Sequence, residues 1–172
     1  LQDQMNTALA HVDIPILLRL YEACSRNDDQ ALARWSQELL AWRESAELRT
    51  EEAQRGRALT QILLSLELPG AAQRVELLSK TALAGFALAA FQWQLTSKEM
   101  ALGHAWAWLE NLVMAAVKIV PLGQTAGQLL LQELLPQLVQ AVETGLQLDD
   151  HDIGASQPAL AIASAAHETQ YT

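Results

Sequence analysis

The chain has 172 residues and a formal net charge of −9. That is enough for one domain with a substantial core, and the wrong sign for a protein that grips phosphates through a basic face or docks on an anionic membrane. Half of the residues are hydrophobic. Leu, Ala, Gln and Glu are abundant and β-branched residues sparse, which points to helices and away from a sheet.

One cysteine, Cys24, cannot form an internal disulfide and fits a reducing compartment. It lies in an apolar helical run and reads as a packed small hydrophobe rather than a nucleophile. The longest run without polar side chains, Ala82 to Phe91, falls far short of the roughly 20 residues a membrane-spanning helix needs. Leu1 already belongs to a helix-like pattern and no Met precedes it, so the sequence reads as trimmed at its N-terminus.

In chain order, residues 2–10 form a short first helix. Asp13-Ile14-Pro15 marks the start of the next, with Asp13 as N-cap and Pro15 tolerated in the first turn. Ile14, Leu17, Leu18 and Tyr21 share one face of this helix, which ends near Arg26. Asn27-Asp28-Asp29 caps a helix over 29–43 whose stripe is Leu32, Trp35, Leu39 and Trp42.

Charge dominates from Arg43 to Arg57. The stripe resumes with Ala58, Leu59, Ile62, Leu63 and Leu66, and Pro69-Gly70 ends the segment. Residues 71–95 read as buried helix in one or two pieces, with Gly85 admitting a close backbone approach. Ser97 is placed as N-cap of a helix over 98–119 carrying Leu102, Trp106, Leu109, Val113 and Val117. Pro121 starts a stretch to about Gly145 that Pro136 should kink or restart. Asp149 to Ser156 is a loop, and a last helix follows from Ser156 to about Glu168. The expectation is an all-α protein, residues 1–172 forming a single compact bundle of roughly seven to nine helices.

The usual catalytic signatures are missing. His11, His104, His151 and His167 are scattered, none three or four residues from another His or from Cys24, so no local zinc motif exists. His151 sits among Asp149, Asp150 and Asp152, which reads as a solvated acidic loop before it reads as a weak metal site. There is no nucleophile elbow, Walker loop or dinucleotide fingerprint. No metal, cofactor or catalytic residue is assigned.

Three stretches stand out instead. Arg43 to Arg57 is dense in both signs. The spacings Arg43–Glu47 and Glu51–Arg55 suit ion pairs on an exposed helix, and the arginines suit a polar docking surface. Lys118 interrupts an apolar run just before Pro121-Leu122-Gly123-Gln124, where a cation offsets the unpaired carbonyls of a helix end. Gly123 and Gly127, four apart, permit close helix packing. The end of the chain turns from small apolar residues to polar ones at His167.

Read in order, these stretches resemble the urease accessory protein UreF family. The matching text is Trp42 to Glu52 with Arg55-Gly56, then Trp108-Leu109-Glu110-Asn111 leading into Met114 to Lys118 and Pro121 to Gln124, and last Ala161 to Ser164 with His167 to Tyr171. The run from Leu20 to Cys24 agrees. The family usually carries an N-terminal segment before this point and a short basic tail after Tyr171, and neither is found here.

The resemblance implies an all-helical, homodimeric, non-enzymatic, cytoplasmic adaptor or chaperone. It would bind UreD (UreH in some organisms), recruit the GTPase UreG and serve nickel insertion into apo-urease, with no nucleic-acid or membrane partner. It implies partner-binding roles for Lys118, Pro121, Gly123 and Gln124. It implies docking or fold support for Arg43, Glu44, Glu47, Arg49, Arg55 and Gly56, and partner contact for His167, Glu168, Gln170 and Tyr171. Trp106 is assigned to the dimer interface. The rival readings are a helical small-molecule-binding or catalytic bundle and a helical transcription regulator. The first would need convergent polar groups in an apolar pocket; the second would need a basic recognition helix.

Overall fold

One long helical run at the start of the chain organises everything else. The computed structural model describes residues 2–119 and 123–155. The run consists of α1 (Gln2–Gln4), a wider π-helical stretch (Met5–Asp13) and α2 (Ile14–Ser25). Pro15 accounts for part of this geometry. It has no N–H to offer the carbonyl of His11 one turn earlier, and that carbonyl instead accepts the N–H of Gly154 at 2.9 Å. The N–H of Ile14 bonds back to Leu9, five residues away. Asp13 therefore does not begin a helix as expected. It has helical dihedrals, makes no cap bond and turns a buried side chain toward Arg43.

The remaining elements are α3 (Asp29–Ala41), α4 (Ala46–Ser65), a 3-10 turn (Ala72–Arg74), α5 (Val75–Leu78), α6 (Ala82–Gln92), α7 (Ser97–Ile119), α8 (Gln124–Gln147) and a second 3-10 turn (Asp150–Asp152). The described residues contain no strand, and the fold is all-α as expected. Side-chain caps start four of the helices. Asp28 accepts from Ala31 N–H, Ser45 from Leu48 N–H and Thr81 from Ala84 N–H. At α7 the cap is Thr96, one residue before the expected Ser97. Its hydroxyl accepts from Glu99 N–H while the Glu99 carboxylate accepts from Thr96 N–H, a reciprocal capping box. These bonds hold the Glu99 carboxyl below its ordinary range. Each such cap contributes about 1 kcal/mol.

The first run is shared by two hydrophobic clusters. On one side Ile16, Leu17 and Leu20 pack with α3, α5 and α6. On the other, Met5, Leu9 and Ile14 pack with α7 and α8. α4 and α6 run in the same direction, since Gly56 faces Thr81 and Gly85 faces Leu59 and Leu63. The expected close approach at Gly85 is found, made by the α4 side chains, the nearest 3.0 Å from where a Cβ would be. The predicted α4 stripe is only half right: Leu63 is buried, but Ile62 and Leu66 are exposed.

α7 and α8 form an antiparallel pair, held at one end by Gly127 against Val117 and bridged near the other by Lys98 and Glu143. α8 runs through Pro136 without the expected restart. The helix expected from Ser156 to Glu168 lies outside the described residues. No helix among the described residues is long and apolar enough to cross a membrane.

Candidate partner-binding surface

The charged stretch after α3 starts with a tight connection. α3 stops at Ala41 and α4 begins at Ala46, so Arg43 is not on a helix and the expected Arg43–Glu47 pair of one helix turn does not form that way. Arg43 instead points inward, its side chain only 16% exposed. Its Nη2 donates to Asp13 Oδ1 at 2.9 Å and to Glu52 Oε2 at 3.1 Å, and Nε donates to the same Glu52 oxygen at 3.3 Å. The other oxygen of Glu52 accepts the Ala82 N–H at 3.0 Å, placing a carboxylate at the positive end of α6. Burial works against the Arg43 charge, but the two carboxylates outweigh it and hold the guanidinium above its ordinary pKa.

This trio is reinforced from both sides. Arg49 donates to the Arg43 carbonyl at 2.7 Å. One turn past Glu52, Gly56 lies so close to the chain before α6 that a Cβ would sit 2.9 Å from Ser79 O and from the Thr81 backbone. Arg43, Glu52 and Gly56 thus join the first helical run, α4 and α6. Of the motif's other residues, Glu44, Glu47, Arg49 and Arg55 are exposed.

A cavity of about 290 Å³ opens beside the trio. Its walls include Val12, Leu48 and Leu112, with Trp42 and Trp108, and Glu44, Glu51 and Arg55 also line it. Gly154, at φ +151°, lies against the Trp42 ring, where a Cβ would meet the ring at 2.6 Å. Behind the trio, His104 of α7 is buried and edge-on to Phe86, its Nε2 without a hydrogen-bond partner. Burial pushes its pKa below the ordinary histidine value; Asp13 and Glu52 oppose that push and Arg55 and Arg43 add to it.

The second motif lies where α7 gives way to α8, six residues beyond Leu112 of the cavity wall. Lys118 is exposed in the last turn of α7, beside Ile119, which is 82% exposed. Pro121 falls outside the described residues. Gly123 occupies the N-cap position of α8 and its carbonyl accepts from Ala126 and Gly127; Gln124 opens the helix. Of the two glycines, Gly127 makes the close approach, to Val117, while Gly123 is exposed. Trp106 is 40% exposed on α7, on the same helix face as Glu110 and Met114. His167, Glu168, Gln170 and Tyr171 lie outside the described residues.

The family model for UreF matches residues 1–135. The chain belongs to the UreF family. It is 49% identical over 171 residues to a Pseudomonas putida protein named urease accessory protein UreF, an alignment covering 99% of this chain and 76% of that one. Proteins of the same name from Alcanivorax borkumensis and Alkalilimnicola ehrlichii are 45% and 46% identical, covering 99% and 100% of this chain and 77% and 75% of theirs.

Several groups at the site carry no local mark in the sequence. Glu52 looks like its exposed neighbour Glu51, and nothing local marks it as the buried partner of Arg43. Asp13 reads as a helix cap from its place two residues before Pro15. His104 has no telling neighbours in sequence. Cys24 falls as expected. It is buried, and burial pushes its thiol up to about 11, the condition of an inert packed residue. Asp149, His151 and Asp152 bring ligand atoms within 4.8 Å of one another, but all three are exposed. Asp150 is tied to Arg19 at 2.8 Å.

Proposed function

We propose that this chain acts as a non-catalytic adaptor in urease maturation, binding UreD/UreH and recruiting the GTPase UreG so that nickel is delivered to apo-urease. The observation that carries the reading is the identity of nearly half over 99% of the chain with proteins named urease accessory protein UreF. On this reading the protein works in the cytoplasm as a homodimer, without a cofactor of its own.

The geometry supports a division of labour within the motifs. Arg43, Glu52 and Gly56 hold three elements together, and the exposed Glu44, Glu47, Arg49 and Arg55 offer polar groups on the surface they support. Lys118 closes α7, and Gly123 and Gln124 open α8; Pro121 of the same motif lies outside the described residues. That end of the bundle is assigned to partner communication, as is the C-terminal stretch His167, Glu168, Gln170 and Tyr171. The Trp106 face of α7 is assigned to the second copy.

The test is direct. The full-length protein is mixed with UreD/UreH, then with UreG and GTP, and passed over a size-exclusion column. A stable complex with UreD/UreH that takes up UreG is the expected result. Separate elution in every nucleotide state overturns the proposal.

A further inference from the structure

We propose that the cavity between Trp42 and Trp108 receives a cationic side chain, arginine above all, from a protein partner. The inference deepens the adaptor reading and rests on it, because the cation belongs to another chain.

Three observations carry it. First, size: about 290 Å³ sits at the bottom of the roughly 300–1,000 Å³ range of small-molecule pockets, so it suits one large side chain. Second, charge: the lining holds the carboxylates of Asp13, Glu44, Glu51 and Glu52 against the guanidiniums of Arg43 and Arg55. Arg43 is already claimed by Asp13 and Glu52, so the excess is negative and complements a cation. Third, the walls: two tryptophans line the space, and the indole N–H of Trp42 donates to Glu38 at 3.2 Å, fixing its ring. An indole face attracts a guanidinium, and more strongly when the pair is shielded from water. Apolar surface from Val12, Leu48 and Leu112 receives the methylene stem.

Ala155 lines the cavity, and residues 156–172, which follow it, contain no Lys or Arg, so that stretch does not supply the cation.

The experiment has two arms. In the first, N-acetylarginine amide is titrated into the full-length protein while the indole N–H resonances of Trp42 and Trp108 are followed by NMR. Both should shift at millimolar ligand. The uncharged isostere N-acetylcitrulline amide, and the Glu44→Gln/Glu51→Gln double variant, should each respond at least about fivefold more weakly. Absence of shifts at about 50 mM arginine ligand, or an equal response to citrulline, overturns the proposal. In the second, Glu51→Lys is tested for complex formation with UreD/UreH and UreG. It should weaken one of the two complexes at least about tenfold, the order expected for a charge reversal opposite a bound cation. If the unaltered protein forms its complexes and Glu51→Lys forms them equally well, the pocket proposal falls and the adaptor reading stands. If the unaltered protein forms none, the adaptor reading falls, and the arginine titration still decides what the cavity binds.

Discussion

Arg43 and Glu52 are bonded twice, at 3.1 and 3.3 Å, and the second oxygen of Glu52 accepts the Ala82 N–H at the start of α6. The pair is therefore a strut between helices as well as an ion pair. Removing one member leaves a buried charge without its partner, which costs about 3–5 kcal/mol. Arg43→Met should lower urea-unfolding stability by that amount. Glu52→Gln keeps an oxygen for Ala82 and should cost less. Equal stability of Arg43→Met and the parent would remove the strut from the account.

Two glycines should respond oppositely to alanine. At Gly56 a Cβ meets backbone atoms at 2.9 Å, which cannot rotate away, so Gly56→Ala should destabilise by at least about 1–3 kcal/mol. At Gly103 nothing lies within 4 Å of the new Cβ, and the position is inside α7, so Gly103→Ala should stabilise by about 0.5–1 kcal/mol. Thermal melts of the two variants side by side check both signs.

His104 predicts a pH dependence. Burial lowers its pKa in the folded protein below the ordinary 6.5. The unfolded chain then binds a proton more readily, so the stability contributed by neutral His104 is full above pH 6.5 and is lost as pH falls below that value. Urea midpoints between pH 7.5 and 5 should decline, and the decline should be shallower in His104→Phe. Parallel profiles for the two proteins would assign the acid sensitivity elsewhere.

Three helices end on a residue in the left-handed region that is not glycine: Asn27, Glu67 and Gln94, at φ 54°, 50° and 57°. Each end is closed by the same pair of bonds, as in Glu67 N–H to Leu64 O and Leu68 N–H to Leu63 O, the arrangement in which glycine is preferred. Glu67→Gly and Gln94→Gly should each raise stability by about 0.5–1 kcal/mol. Asn27 tolerates the region better and should gain less. Chemical denaturation resolves differences of this size.

Lys118 is exposed on the last turn of α7, so Lys118→Ala should leave the circular dichroism spectrum and melting temperature nearly unchanged. On the adaptor reading, urease activation should fall several-fold in cells lacking the native copy. Full activation by a normally folded variant would take partner communication away from this residue.

Much of the fold was legible because its determinants are local. The Leu32–Trp35–Leu39 stripe, the Asp28 cap and the buried apolar segment around Gly85 each depend on residues within a turn or two. The capping box of Thr96 and Glu99 was equally local, and the four-residue pattern Thr-x-x-Glu would have identified it in place of Ser97. The Arg43 cluster was not legible. Its partners lie 30 residues before and 9 after it, while a nearer carboxylate at Glu47 fits a spacing rule that holds only if both residues share a helix. Asp13 misled for a related reason. Asp shortly before a proline is a good start signal, but here the proline opens α2 directly behind a π-helical stretch, and the carbonyl it frees, that of His11, finds a partner far along the chain.

That last bond has a consequence for how the molecule comes into being. The carbonyl of His11 is satisfied by Gly154, and Arg19 is held by Asp150, 131 residues away. Synthesis runs from N- to C-terminus, so the segment that both hydrophobic clusters share is made well before the groups that complete it. Its closure joins groups 131 residues apart in sequence, and that loop can close only once both clusters have their later helices to pack against.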